Sequence, residues 1–377
     1  MTQSNSKITN PNVSVEEIRA ILKEVGVKTS ADTARRERRT EDILHGDIPT
    51  FMEVPLALKP EELFGADAAV VGFGYEGTTA KTPWLSAPPT VSRPEPGSVY
   101  WRMGADHAPD EIRKYSLYYS IGHNQGWFPE IDREIRMHDI LKVMDYGNVS
   151  VVQADNLETI RRAQQKIDDI VNADALPIVI GGDHTIPIPA VRAVTAKRAA
   201  PIGIISFDSH LDLSFTEECW ASNQWSKAFE TGKVNPSNLV IIGIRSNRST
   251  YYESKVAEAL NIRYFSIDEV KRRGIADVTQ EALEVAGNGT DGLYLSLDID
   301  VMEPGLVPSQ KAPEFWGLTT DEMMQSLQVL SREQLLGFDI CEYTPDYDVN
   351  GMGAQFCARM IVEILGGQAV RKSKEGE

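Results

Sequence analysis

From about residue 66 the chain repeats one motif: a short apolar run, followed in several places by an amphipathic helical segment. The runs are ADAAVVGFGY, LPIVIGG, IGIISFD, LVIIGIR, IRYFSI, LYLSLDID and LLGFDICEY. Between them lie segments such as NLETIRRAQQKIDDIVNA, IPAVRAVTAKRA, DEMMQSLQVLS and MGAQFCARMIVEIL. Apolar strands that alternate with helices must be covered on both faces, so the pattern predicts an α/β fold, a three-layer α/β/α sandwich around a mostly parallel sheet. No internal repeat or linker divides this region, so residues 51–377 are expected to form one domain. Residues 1–50 stand apart. VSVEEIRAILKEVG has helical spacing and the charged TARRERRTEDILHG follows it, which predicts a helix and an extended arm. Residues 78–130, rich in proline and aromatics, read as long loops.

Three of the predicted strands end in acidic and histidine residues. LPIVI runs into GGDHT with Asp183 and His184, IGIISF into DSHLD with Asp208, His210 and Asp212, and LYLSL into DID with Asp298 and Asp300. Residues i and i+2 of an extended strand face the same way, so Asp298 and Asp300 can address one site, as can the DSHLD trio if its backbone stays extended. Ligands of open α/β sheets bind beyond the carboxyl ends of the strands, where all three motifs lie. Five carboxylates and two imidazoles gathered there repel one another unless cations hold them. Six oxygen and nitrogen donors, namely His184, Asp208, His210, Asp212, Asp298 and Asp300, are too many for one ion with an open position. They suit two bridged ions of manganese, nickel, iron or zinc.

The bulk properties bear on partners. A formal charge of −17 argues against a phosphate-binding surface and is compatible with a cationic substrate. Cys219, Cys341 and Cys357 are too few and scattered for a disulfide framework, and the polar start MTQSNSKITNPNVS lacks a secretory h-region. No apolar run reaches the ~18–20 residues of a membrane span. A cytoplasmic protein without nucleic-acid or membrane partners is expected.

Taken together, GGDHT, DSHLD and SLDID resemble the signature of the ureohydrolases, the arginase and agmatinase superfamily, over about residues 66–366. The resemblance implies an arginase-like fold and two divalent ions. His184, Asp208, Asp212 and Asp298 would hold one ion and His210, Asp208, Asp298 and Asp300 the other, with Asp208 and Asp298 bridging. It implies hydroxide generated from a water shared by the ions, attack on a guanidinium carbon, and proton transfer by Asp300. Glu342, in FDICEYTP, would grip the guanidinium. GADHAPDEIRKYS resembles the family's loop-to-helix segment, making Arg113 a structural anchor of the helix start and placing His107 on the loop surface.

Several departures shape the expected substrate. The family's pocket His-Gly pair is replaced within CWASNQWSKAFETG, which puts Asn223 or Gln224 there, and no histidine follows His210. Glu303 stands where the family has Asp, and FWGLT brings Phe315 and Trp316 to the pocket rim. An inserted proline-rich loop supplies Trp84, Tyr100 and Trp101 as an apolar wall. Asn223, Gln224, Trp316 and Glu342 are therefore the expected substrate-binding residues, and the substrate is compact. The long arm and aromatic loop look like the nickel-dependent guanidine hydrolase branch, near the metformin hydrolases, which pair an active with a metal-free subunit. Nickel is favoured over manganese, and guanidine, cleaved to urea and ammonia, over an N-alkylated biguanide such as metformin. An agmatinase-like enzyme and a catalytically silent assembly partner follow. The resemblance implies a trimer or hexamer, or a heteromer with a related subunit.

Overall fold

Eight strands form one parallel sheet: β1 (Ala68–Gly72), β2 (Val143–Asn148), β3 (Leu176–Ile180), β4 (Gly203–Phe207), β5 (Leu239–Ile244), β6 (Arg263–Ser266), β7 (Leu293–Asp298) and β8 (Leu335–Cys341). Their order is β2-β1-β3-β8-β7-β4-β5-β6. The computed structural model describes residues 48–76, 102–120, 126–152, 155–246 and 248–375, with Ala20 and residues 44–45. The chain divides into Met1–Thr40 and Glu41–Glu377, and the sheet and its helices belong to the second unit. Most of the arm expected over residues 1–50, and Trp84, Tyr100 and Trp101, lie outside the described residues. Leu44–His45 and Ile48–Pro49 pair antiparallel.

Alternate residues of each strand enter two separate cores, as the period of two demands. Val70, Ile178, Ile205, Val240 and Leu295 belong to one core with Ala108–Ser116 (α1), Ile267–Arg273 (α6), Ile275–Gly287 (α7), Thr320–Leu330 (α8) and Met352–Glu375 (α9). Val71, Val179, Ile204 and Ile241 belong to the other, with Asn156–Asn172 (α2), Pro187–Ala196 (α3), Gln224–Phe229 (α4) and Tyr251–Ala259 (α5). The three-layer sandwich is therefore present. Local chemistry starts the helices where it should: Asp155 accepts from the Glu158 amide before α2, and Thr319 with Glu322 forms a capping box before α8. No described helix is long and apolar enough to cross a membrane.

Two features differ from the sequence reading. The edge strand β2 has no counterpart among the seven runs, because VMDYGN carries an aspartate and a glycine where an apolar run was sought. The stretch read as loops over 78–130 contains α1, whose second residue, Pro109, is a permitted first-turn proline. One interaction joins the two. Arg113 of α1, fully buried, forks onto Asp145 of β2, with Nε donating to Oδ2 at 2.8 Å and Nη2 to Oδ1 at 2.9 Å. Asp145 also accepts from the amides of Phe51 and Gly147. Arg113 is thus structural, as expected, and His107 is exposed, but the arginine ties its helix to the sheet edge rather than anchoring the helix start.

Burial raises the Asp145 pKa, yet Arg113 and the amide donors hold it below the ordinary carboxylate value. A depressed folded pKa means stability that is present above the unfolded value of about 3.9 and lost as pH falls through the folded one. Arg113→Ala, which leaves a buried unpaired carboxylate, is expected to cost about 3–5 kcal/mol in urea unfolding at pH 7. The gap between wild type and Asp145→Asn should narrow as pH drops below about 4; a constant gap would show that Asp145 contributes no charge-dependent stability.

Candidate metal centre

The three central strands carry a polar ladder on the face toward α2, α3 and α4. The register sets Ser206, Ser296 and Asp339 side by side on β4, β7 and β8, and two residues on it sets Asp298 beside Cys341, with Asp208 continuing the row from β4. Period-two geometry therefore brings Asp208, Asp298 and Cys341 to the carboxyl edge together.

What happens just past that edge differs from the simple extended reading. Asp298 ends β7, and Ile299–Val301 form a 3-10 turn in which the Asp300 amide donates to Asp298 Oδ1 at 2.8 Å. Asp208 Oδ1 accepts from the His210 amide at 2.6 Å, and Asp183 Oδ1 from the Thr185 amide at 3.1 Å. Each motif thus contains an aspartate that closes a turn over the residue two ahead with one oxygen, and Asp208 and Asp298 turn the other toward the site. Asp212 is not extended either: its φ is +52°, and Glu342 sits at +63°. Non-glycine residues in this region carry strain of about 1–3 kcal/mol, and two of them stand where ligand-type side chains converge. GGDHT needs its glycines for the same geometric reason. Gly181 and Gly182 have φ of +85° and +84°, and a Cβ on Gly182 would stand 2.4 Å from the Phe73 carbonyl oxygen.

The result is two groups of donors that share Asp208. His184 Nδ1 lies 3.1 Å from Asp212 Oδ2, 3.2 Å from Asp208 Oδ2 and 3.4 Å from Asp298 Oδ2. His210 Nδ1 lies 3.1 Å from Asp300 Oδ2 and 3.5 Å from Asp208 Oδ1. His184, Asp208 and Asp212 form one cluster with metal-ligand spacing, and Asp208, His210 and Asp300 another; His184, Asp298 and the Cys341 thiol form a third. All six expected ligands are buried and meet in one place.

Electrostatics favour a cation there. Asp208 Oδ2 is buried and accepts no hydrogen bond. Burial and the Asp208 charge push Asp212 up to about 6, and burial with Asp300 and Asp208 pushes Asp298 well above its ordinary value. Burial opposes protonation of His210, yet Asp300 and Asp208 raise its pKa well above normal. Asp300 moves the other way: burial raises it, but His210 and the Ser209 hydroxyl, which donates to Oδ1 at 2.6 Å, hold it low. A field that recruits protons this strongly fits divalent ions, and the oxygen and nitrogen donors fit manganese or nickel.

The supporting residues were mostly missed in the sequence. His184 Nε2 lies 3.0 Å from Ser296 Oγ, which donates to Asp339 Oδ1 at 2.8 Å, while Tyr294 donates to Oδ2 at 2.6 Å. This chain of hydrogen bonds fixes the ring so that Nδ1 faces the carboxylates. Its trace in the sequence is a polar residue at every second position of LYLSLD and FDIC. Arg245 donates to backbone carbonyls, including those of Asp300 at 2.6 Å, Glu314 at 2.7 Å and Phe315 at 3.1 Å. It thereby lashes the loop carrying Phe315 and Trp316 to the Asp300 turn. Both aromatics are exposed, with Trp316 at φ +68°.

Glu342 lies immediately after β8, buried, and its Oε1 accepts from the His184 amide at 2.6 Å. Burial pushes it up to about 8, with Lys311 opposing. Lys311 is itself buried and donates to Glu76 at 2.6 Å, a pair that neither residue's sequence context announced. Asn223 spends its amide locally: Oδ1 accepts from the Trp220 amide, and Nδ2 donates to Thr216 and Glu218. Gln224 instead points into the donor cluster, its Nε2 2.6 Å from Asp212 Oδ2 and 3.1 Å from His184 Nδ1. Glu303 accepts from the Gly317 amide and steadies the rim loop.

Comparison with known proteins agrees with this geometry. The chain is 29% identical over 324 residues to a guanidinopropionase of Pseudomonas aeruginosa, covering 84% of this chain and 91% of that protein. The solved proclavaminate amidino hydrolase of Streptomyces clavuligerus superposes with a TM-score of 0.72 at 25% identity, covering 86% of this chain and 98% of that one. A formiminoglutamase of Trypanosoma cruzi, solved with Mn2+, shares the fold at a TM-score of 0.70 and 18% identity, covering 86% of this chain and 100% of that one. The arginase family profile matches residues 91–366, so the chain belongs to the arginase family and is a ureohydrolase, a hydrolase of C–N bonds in linear amidines.

Proposed function

We propose that this chain hydrolyses a small cationic guanidine-type compound at a binuclear divalent-metal centre, with guanidine, cleaved to urea and ammonia, as the first candidate. The observation that carries the reading is the pair of donor groups meeting at Asp208, whose second buried oxygen has no hydrogen bond, with the Glu342 carboxylate held on the backbone amide of His184 in the same cluster. His184, Asp208, Asp212 and Asp298 would hold one ion, and His210, Asp208, Asp298 and Asp300 the other. Nickel is proposed first, because it binds such donors more tightly than manganese. The T. cruzi protein supports manganese as the alternative. When bound, the ions supply Lewis acidity and a nucleophilic water at neutral pH.

The residues divide the remaining work. Glu342 grips the guanidinium through charge-assisted hydrogen bonds and turns its planar carbon toward the ligand cluster. A water oxygen bonds to that carbon, and Asp300, oriented by Ser209 and flanked by His210, takes the proton. Asp300 then delivers it to the leaving nitrogen as the C–N bond breaks. Phe315 and Trp316, lashed to the Asp300 turn by Arg245, set an apolar rim that favours a compact substrate. The same rim supports N-alkylated guanidines or biguanides such as metformin, with this chain as the ligand-bearing subunit. The guanidinopropionase relative supports a guanidino acid instead.

Urea release from nickel- and manganese-loaded protein, screened over guanidine, methylguanidine, metformin, guanidinopropionate, agmatine and arginine, should be fastest with guanidine. Arginine, agmatine or guanidinopropionate in first place would overturn the compact-substrate reading. Asp208→Ala and Asp298→Ala should lose bound metal and activity together, measured by metal analysis and urea assay. Glu342→Ala should keep both ions while KM rises about 10- to 100-fold, the worth of one or two charge-assisted hydrogen bonds.

Metal removal should depend on pH. Asp212 is raised to about 6 and Asp298 is raised well above its ordinary value, so the metal-free protein is favoured at low pH and loses stability as pH rises through those folded values. Chelation should therefore lower Tm more at pH 7.5 than at pH 5.5. An equal drop at both would show that the carboxylates do not set the metal's contribution.

A further inference from the structure

The Gln224 side chain takes no part in the proposed mechanism, yet it occupies the donor cluster itself. It is fully buried at the start of α4, held in place by the neighbouring Asn223, whose amide is pinned by Trp220, Thr216 and Glu218. Its amide end lies 2.6 Å from Asp212 Oδ2 and 3.1 Å from His184 Nδ1, and those two atoms are 3.1 Å apart. Asp208 Oδ2 and Asp298 Oδ2 stand 3.2 and 3.4 Å from His184 Nδ1. Neighbouring donors of a six-coordinate ion with bonds of about 2.1 Å are about 3.0 Å apart. The amide end of Gln224 thus takes the position of a neighbouring donor in the same shell. Its other end points nowhere useful, since Oε1 is buried without a hydrogen-bond partner. A half-turn of the amide exchanges the two ends and presents the oxygen, an acceptor, to the atoms that would surround a cation.

We infer that Gln224 is a ligand of the ion held by His184, Asp208, Asp212 and Asp298, bound through its side-chain oxygen. The inference rests on the binuclear-metal reading and deepens it. A neutral amide adds a donor without adding negative charge to a site already crowded with carboxylates. With five protein donors and a sixth place for water, the ion is held six-coordinate, which suits nickel or manganese and opposes tetrahedral zinc. The residue that stands in the family's His-Gly region therefore acts on the metal rather than on the substrate.

The test loads the full chain with Mn2+ or Co2+ and reads metal stoichiometry and affinity by chelator competition, with the Co2+ visible spectrum as a coordination probe. Gln224→Ala should bind one of its two ions about 10- to 100-fold more weakly, the usual range for removing a residue that supports a metal site. Its Co2+ absorption should strengthen as that ion loses six-coordination. Gln224→Glu, of nearly the same shape and with an anionic donor, should bind that ion at least as tightly as wild type and keep the weak spectrum. If Gln224→Ala does not fold by circular dichroism, the comparison of Gln224→Glu with wild type decides: weaker binding or a changed coordination spectrum overturns the assignment. If wild type and both variants bind two ions with equal affinity and identical spectra, Gln224 is no ligand and only this assignment fails. If wild type holds less than one ion, the binuclear reading fails with it.

Discussion

Mutual repulsion among buried carboxylates is the constraint around which the centre of this protein is arranged. Asp208, Asp212, Asp298 and Asp300 are buried together with His184 and His210. In a low-dielectric interior such a set is tolerated only with countercharge. The sheet can hold it there because β4, β7 and β8 are the adjacent central strands, locked in register on both sides by covered apolar layers. The turn hydrogen bonds then divide the labour within Asp208 and Asp298, one oxygen holding the backbone and one left for the site.

Around this cluster the structure adds cations and hydrogen-bond donors where they orient rather than neutralise. The Ser296–Asp339–Tyr294 chain sets the His184 ring, and Ser209 sets Asp300. Lys311 and Glu76 form a buried pair next to Glu342, partly offsetting the cost of burying that acid. Arg245 and Arg113 do a different job. Both are buried guanidinium groups inside a ureohydrolase, and both are saturated by the protein's own acceptors, six different carbonyls in one case and Asp145 with Asn148 in the other. Neither competes for the site, because their donors have fixed partners.

Seven of the eight strands were legible because each is a short run of mostly apolar residues between covering layers, the strongest pattern a parallel sheet leaves. The metal-type residues were legible for the opposite reason: aspartate and histidine at the end of such a run have no packing role. The edge strand β2 was hidden because its central Asp145 reads as a surface residue until Arg113, distant in sequence, is brought against it. Asn223 and Gln224 were both named for the pocket, but only the folded loop separates them, turning one into a loop clasp and aiming the other at His184 and Asp212.

The sequence by itself determined the layered fold, the strand ends where charge would gather, and six donors of the right chemistry. These follow from local periodicity and from the cost of burying charge, which act residue by residue. Only the tertiary structure decided which carboxylate oxygens are left without a hydrogen bond, that Asp212 and Glu342 adopt left-handed backbone, and which polar residues stand behind the clustered acids and imidazoles. Those depend on register between strands and on contacts such as Gln224 with His184, 40 residues apart, or Lys311 with Glu76, 235 apart. Over such distances no local pattern carries information.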